Sequence, residues 1–305
     1  MVVQTSAAPA LTPATVNVGC SGNAGDNPGD YSGTVTVTAG TRSVVVPVSV
    51  HIPPVPPVPL PVYQGIVTPP VIGAIVSAAS NTTRAVSPGE ILTIHGSGVG
   101  TRDPAGIAFD TSGNVVRDLN HLRVLFDGAP APLIYASLFQ TNLIVPYEVA
   151  GHQITTIQVD SGGSLSDPIT VPVAASVPSV FTMDSSGVGR ASVLNQDNSV
   201  NDPSNPAARG SVIQIYATGE GQTIPPGVTG SVIHNDTKRP ALPVRVIIGG
   251  IDAEVTYAGS APESVAGLFQ VNALVPQAAL TGAGVPLTLR IGDAPTQTGV
   301  TIAIQ

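Results

Sequence analysis

Ser87-Pro-Gly-Glu-Ile-Leu-Thr-Ile-His-Gly-Ser-Gly-Val-Gly100 is answered further along the chain by Ala208-Arg-Gly-Ser-Val-Ile-Gln-Ile-Tyr-Ala-Thr-Gly-Glu-Gly221. In each stretch a glycine turn (Gly89, Gly210) leads into a short run rich in β-branched residues. Each run then closes on Gly-x-Gly, where positive φ or close backbone approach is needed. Outward from these stretches the correspondence continues. Val124-Leu-Phe-Asp-Gly-Ala-Pro-Ala-Pro-Leu-Ile-Tyr135 matches Val246-Ile-Ile-Gly-Gly-Ile-Asp-Ala-Glu-Val-Thr-Tyr257, and Leu138-Phe-Gln-Thr-Asn-Leu-Ile-Val-Pro146 matches Leu268-Phe-Gln-Val-Asn-Ala-Leu-Val-Pro276. Two closing strands follow in each copy, Thr155–Val159 and Ile169–Val173, then Leu287–Ile291 and Val300–Ile304. The one large difference is an insertion of about eight residues, Ser260–Gly267, in the second copy. A repeat of this size, built from short runs and turns, predicts two copies of one β-unit.

Composition agrees. The chain has 305 residues, of which 33 are glycine and 30 proline, while 42% are hydrophobic and mostly aliphatic. No long stretch is free of turn-forming residues, so long helices have no room. The fold class expected is all-β, as tandem immunoglobulin-like β-sandwiches. Asp127-Gly128 and Gly249-Gly250 are two-residue hairpin signals in corresponding places. Gln140/Asn142 and Gln270/Asn272 alternate with apolar residues, and their amides are expected to tie down loop backbone. Tyr135/Tyr257 and Phe139/Phe269 are expected to fill the two cores.

Before the repeat, Tyr31–Thr38 alternates polar and apolar residues and Val44–Ile52 reads as its partner, a hairpin ending an incomplete first β-domain. Residues 53–70 form a proline-rich linker, of which 53–61 reads as a polyproline II spacer. The organisation expected is therefore a partial immunoglobulin-like segment over 1–52, a linker over 53–70, a first repeat over 71–180, an Asx/Pro-rich connector over 181–207 with restricted motion, and a second repeat over 208–305.

Charge narrows the function classes. Charged residues are 10% of the chain, the net charge is −8, and Lys238 is the only lysine. A phosphate backbone would be repelled, so nucleic acid is not an expected partner. No window supplies the ~20 apolar residues of a helical membrane span. Cys20 is the single cysteine, so the sandwiches hold without an intrachain disulfide. It is read as a strand thiol rather than as a lipoprotein cleavage position, because Asn17 and the residues before it lack the apolar run.

Read together, Ser87-Pro-Gly-Glu-Ile-Leu-Thr-Ile-His-Gly-Ser-Gly98, the Phe126-Asp-Gly128 turn and Val145-Pro146 resemble an IPT/TIG immunoglobulin-like domain. Residues 71–305 also resemble the C-terminal region of exported proteins abundant in Solibacter and other Acidobacteria. That resemblance is carried by Ile75-Val-Ser-Ala-Ala-Ser80, Ser87-Pro-Gly-Glu90, Asn201-Asp-Pro-Ser-Asn-Pro-Ala-Ala-Arg-Gly210, Ala217-Thr-Gly-Glu-Gly221 and Gly267-Leu-Phe-Gln-Val-Asn272. Residues 31–52 are similar to the end of a BACON-type domain. The resemblance implies a sandwich fold and an exported protein, secreted or at the cell surface. It brings no activity and no catalytic residue.

The chemistry-bearing candidates are few. His95-Gly-Ser97-Gly could suggest a hydrolase nucleophile, but the second copy has Tyr216-Ala-Thr218-Gly in its place, so the segment makes its turn without the histidine. No Gly-x-Ser-x-Gly elbow occurs. His51, His95, His121, His152 and His234 lack the spacing of a zinc site. The stretch from Asp184 to Asn205 is oxygen-rich, and Asp197 and Asp202 are its candidate calcium ligands. Side chains of this kind also close turns on their own backbone. The leading expectation is thus a non-catalytic structural, adhesion or presenting module that meets a protein or polysaccharide of the surface or matrix. Two alternatives remain open. One is a secreted, possibly calcium-dependent hydrolase of esters, lactones or glycosides. The other is a carbohydrate- or matrix-binding module using an exposed tyrosine such as Tyr63 or Tyr147.

Overall fold

A computed structural model describes residues 2–4, 19–21, 29–39, 42–52, 69–234 and 237–305. The chain divides into two compact units, residues 1–66 and 67–305. The expected linker over 53–70 and Tyr63 fall almost wholly outside the described residues.

In the first unit, Gly29–Ala39 pairs antiparallel with Arg42–Ile52, bringing Val35 opposite Val46 and Val37 opposite Val44. This is the expected hairpin. Val44, Val45 and Val46 are all exposed on it. Cys20 lies in a three-residue strand, Gly19–Ser21, paired with Val2–Gln4.

The second unit is all-β and holds two sandwiches in tandem. In the first, one sheet runs in the order Val71–Ser77, Ile91–Ser97, Gln140–Ile144, Leu133–Ser137. The facing sheet is built on Ile154–Ser161, flanked by Leu122–Phe126 and Ile169–Pro172. The second sandwich repeats this. Val212–Thr218 and Phe269–Leu274 are central in one sheet, with Val255–Ser260 beside them, and Gly282–Ile291 lies between Val244–Ile248 and Val300–Ile304 in the other. The registers correspond as well. Ile91 faces Ile144 and Gln140 faces His95, as Val212 faces Leu274 and Gln270 faces Tyr216. Each copy even carries its bulge in the same place, after Asn142 and after Asn272.

Two separate cores result from the alternating burial of these strands. One gathers Ile94, Leu122, Leu133, Leu143 and Ile157, the other Ile213, Ile215, Phe269, Leu289 and Ile302, all fully buried or nearly so. The two-residue turns are as expected: Asp127 and Gly128 have φ of 49° and 85°, and Gly249 and Gly250 have 58° and 85°. Such positive φ at both central residues matches the twist of the flanking strands.

Four expectations are corrected. Tyr135 and Tyr257 are half-buried and belong to neither core. Phe269 does fill its core, but Phe139 stands 63% exposed at the tip of its hairpin. In the first copy that hairpin turns at Leu138-Phe139, between the paired residues Ser137 and Gln140, so the ring lies beyond the end of the core. The amides of Gln140 and Gln270 do not reach loop backbone. They donate to Asn142 Oδ1 and Asn272 Oδ1 at 2.8 and 2.9 Å, forming one side-chain pair on each strand. Finally, the stretch 181–207 is woven into the second sandwich. Gly189–Arg190 pairs with Val300–Ile304, Val193–Leu194 pairs with Val212–Thr218, and buried Asn201 bonds the backbone of Ala303 in both directions. The chain crosses from one sandwich to the other earlier, between Val173, which is bonded to Gln153, and Val177, which is bonded to Gly219.

Candidate functional site, the joint between the sandwiches

The polar groups with the most altered environments in the described chain meet where the two sandwiches abut. The repeat explains how they come there. Matching the copies residue by residue, Glu90 stands where the second copy has Ser211, and Glu220 stands where the first has Val99. Val99 is fully buried in its own sandwich. At the matching place the second sandwich carries a carboxyl and turns it toward its neighbour.

Three segments of the first sandwich form one side of the joint: Arg84 to Glu90, the start of the strand at Ile91, and a single 3-10 turn over Tyr147–Val149. The other side is formed by Pro178-Ser179, Thr218 to Gln222, Gly227 to Ile233, and the inserted residues up to Gly267. The Ile91 N–H donates to Thr218 Oγ1 at 2.9 Å, and that hydroxyl donates to the Gly267 carbonyl at 2.8 Å. Arg84 Nη2 donates to Ser179 Oγ at 2.7 Å. Tyr147 is held at every polar atom: its N–H donates to Thr229 Oγ1 at 2.9 Å, its carbonyl accepts from Gln222 Nε2 at 2.9 Å, and its phenol donates to Glu220 Oε1 at 3.1 Å.

The tyrosine ring lies between two glycines, one from each sandwich. A Cβ on Gly89 would fall 2.5 Å from the phenol oxygen, and one on Gly227 would fall 2.3 Å from Cε1. Only a bare backbone fits on either side. The ring packs with Ile233 and Ala266 in a small apolar cluster, and Ala266 comes from the insertion that the first copy lacks. The insertion therefore serves to clasp Tyr147.

Glu90 and Glu220 are buried, at 1% and 3% exposure. Burial pushes Glu90 up to about 8, against the Ser87 N–H, the Arg84 guanidinium and the Ser77 hydroxyl, which favour the ionised form, while the nearby Glu220 disfavours it. Burial likewise pushes Glu220 up to about 7, against its own N–H and the Tyr147 phenol. The phenol itself is held well above its usual range by burial and by Glu220. A carboxyl removed from water in this way favours its neutral form. Glu90 Oε2 accepts from the Ser87 N–H at 3.0 Å; the Ser77 hydroxyl lies near Glu90 without hydrogen-bonding geometry, and Glu220 Oε2, Ser87 Oγ and Arg84 Nε likewise have no hydrogen-bond partner among the described residues. The joint is thus a polar seam, incompletely satisfied and closed off from solvent.

Two carboxyls and a phenol could in principle exchange protons with a substrate. Both carboxyls are buried, and neither lines the clefts formed by the described residues. The cleft beside the joint, about 300 Å³, is lined by Pro88, Ala150, His152, Ala175, Gln222 and Leu242.

The residues singled out from the sequence lie elsewhere. His95 and Ser97 are both exposed, on the strand Ile91–Ser97. Asp197 Oδ1 accepts the Ser199 N–H at 3.0 Å and its hydroxyl at 2.5 Å. Asp202 Oδ1 accepts the Ser204 N–H and hydroxyl at 2.7 and 2.6 Å and the Asn205 N–H at 2.9 Å. Both carboxylates therefore close turns on their own backbone. Among the described residues no group of three or more His, Cys, Asp and Glu is gathered as metal ligands. Tyr147, expected as an exposed stacking residue, is 4% exposed, because the joint consumes it. Glu90, Glu220 and Tyr147 were missed as a group. A signal did exist, since the two glutamates are places where the copies disagree at otherwise matched strand ends.

Comparison with known proteins yields no matching family model and no matching curated protein.

Proposed function

We propose that this chain is a non-catalytic structural module of an exported protein, in which residues 67–305 form a rigid double sandwich that spaces and presents a binding surface. One observation carries the reading. The groups most altered by their environment, Glu90, Glu220 and Tyr147, lie buried at the contact between the sandwiches, where Tyr147 is bonded across it to Glu220, Thr229 and Gln222. Altered carboxyls cluster at working sites in general, and here the work is mechanical. Small-angle scattering of the full chain tests this. A rigid 67–305 unit gives a fixed length for the pair of sandwiches, and a freely hinged pair would overturn the reading. Hydrolysis of esters, lactones or glycosides that is abolished by a point substitution would overturn it equally.

A second reading, binding of a polysaccharide or protein of the matrix, is favoured by the exposed tip Leu138-Phe139, with Phe139 63% accessible. Exposed aromatic rings supply large rigid contact area. Retention on insoluble polysaccharide that is lost on Phe139→Ser would support it, and retention unchanged by that substitution would count against it.

A further inference from the structure

We propose that the joint is a proton-operated latch: with Glu90 and Glu220 as neutral carboxylic acids the sandwiches are held as one rod, and loss of their protons to solvent frees them to pivot about the Ala174-Ala175 crossing. The proposal rests on the rigid-module reading and adds its regulation.

The geometry supplies two acids, one from each side of the joint, and two guanidiniums near them, of which Arg117 spends its Nη2 on the Thr229 carbonyl across the joint. Arg84 is the guanidinium beside Glu90, and its Nη2 is already committed to Ser179 Oγ and the Pro178 carbonyl. Ionising both carboxyls therefore leaves an uncompensated negative charge in a buried seam, which is expensive. Tyr147 offers one hydrogen bond and stays neutral. Glu148 lies exposed at the rim, where it accepts from Thr229 Oγ1 at 2.5 Å, and His152 lies in the neighbouring cleft, turned toward Asp127 at 3.6 Å. Neither adds a positive charge inside the seam. The unpaired Glu220 Oε2 has no bond to lose when the sandwiches part and gains water.

Separation returns both carboxyls to solvent, where they ionise near 4.5, whereas the closed joint holds them up to about 8 and 7. The closed state thus binds more protons than the open one between these limits. Linkage then favours the open state as pH rises. Because two protons are involved, the response is steeper than for a single acid.

The crossing itself is suited to a pivot. Ala174 N–H bonds the Val86 carbonyl on one side and Val177 N–H bonds the Gly219 carbonyl on the other. Ser176 belongs to the second anchor, since its Oγ donates to the Ile291 carbonyl at 2.9 Å, so Ala175 is the residue between the two.

Fluorescence energy transfer in the full chain tests the latch. Dyes are placed by Arg102→Cys and Thr281→Cys, both exposed and in different sandwiches, in a Cys20→Ser background. A single narrow distance is expected at about pH 5, with a reversible shift or broadening at about pH 9. With Glu90→Gln and Glu220→Gln together, the narrow distance should persist at about pH 9. An unchanged distance in the parent chain across this range would overturn the latch and leave the rigid module standing. A broad distribution already at about pH 5 would overturn both. If the double substitution fails to fold by circular dichroism, Glu220→Gln alone must move the opening midpoint, and an unmoved midpoint overturns the latch.

Discussion

Glu220 occupies in the second sandwich the position that Val99 fills in the first, so one site in a common fold serves the core in one copy and the contact between copies in the other. Val99 packs among Leu92, Ile94 and their neighbours. Glu220 instead receives the phenol of Tyr147 from across the joint. A duplicated unit becomes a paired unit through a few such departures.

Tyr147→Phe keeps the ring between its two glycines and removes one hydrogen bond. Glu220 would then have neither oxygen paired by a side chain. A buried acceptor stripped of its donor costs about 1–3 kcal/mol. The denaturant midpoint of Tyr147→Phe should fall accordingly, with its slope unchanged. No change would mean that the phenol contributes nothing to the joint.

Gly227→Ala should be more damaging than its size suggests. The added methyl would sit 2.3 Å from the Tyr147 ring, which is also packed closely against Gly89. Overpacking of this kind costs roughly 1–3 kcal/mol. Gly284→Ala is the control, since a Cβ there meets nothing within 4 Å. Thermal unfolding of the two variants should separate them clearly, and equal melting temperatures would contradict the packing described.

Stability should have a maximum in mildly acidic solution. Glu90 and Glu220 are raised on folding from 4.5 to about 8 and 7, so their contribution is full below about pH 4.5 and is lost as pH rises through those values. Asp197 and Asp202 are lowered below 3.8, by the Ser199 and Ser204 hydroxyls and then by backbone N–H groups, so their contribution is present above that value and lost as pH falls through the lowered one. Denaturant midpoints measured from about pH 3 to about pH 9 should therefore rise and then decline. Glu220→Gln should flatten the declining limb only. A decline equally steep in that variant would assign it to other groups.

Calcium and chelator should leave the melting temperature unchanged. The Oδ1 atoms of Asp197 and Asp202 are engaged in their own turns, and a cation would have to displace those bonds. Binding to the folded state alone would raise the midpoint by mass action. Such a rise, abolished by Asp202→Asn, would place a cation in this stretch.

Much of the fold is legible in the sequence because it rests on local chemistry. Gly249-Gly250 and Asp127-Gly128 need positive φ at two successive residues, and few other pairs supply it. The alternation in Val212–Thr218 can bury only one face. The duplication then doubles every such signal. The joint is not legible in the same way, since its parts are far apart in the chain. Nothing local to Tyr147 distinguishes a surface ring from one enclosed by Gly89 and Gly227, because the enclosure is made by segments distant in sequence. The same holds for residues 181–207. Their Asx-rich composition reads as turns, which they contain, but strand pairing with Val300–Ile304 depends on a partner about a hundred residues away in the chain. Phe139 shows the limit of reasoning by repeat: a matched residue keeps its place on the strand without keeping its surroundings.

The far end of the second sandwich carries Ser211 and Gln277 where the first carries Glu90 and Tyr147. The glycine is still there, since a Cβ on Gly210 would fall 2.3 Å from Gln277 Nε2, as one on Gly89 would meet Tyr147. The socket is thus inherited while the plug has been replaced by an uncharged amide and a hydroxyl. That end of the second sandwich therefore offers a neighbour neither the acid nor the ring by which the first sandwich meets the second.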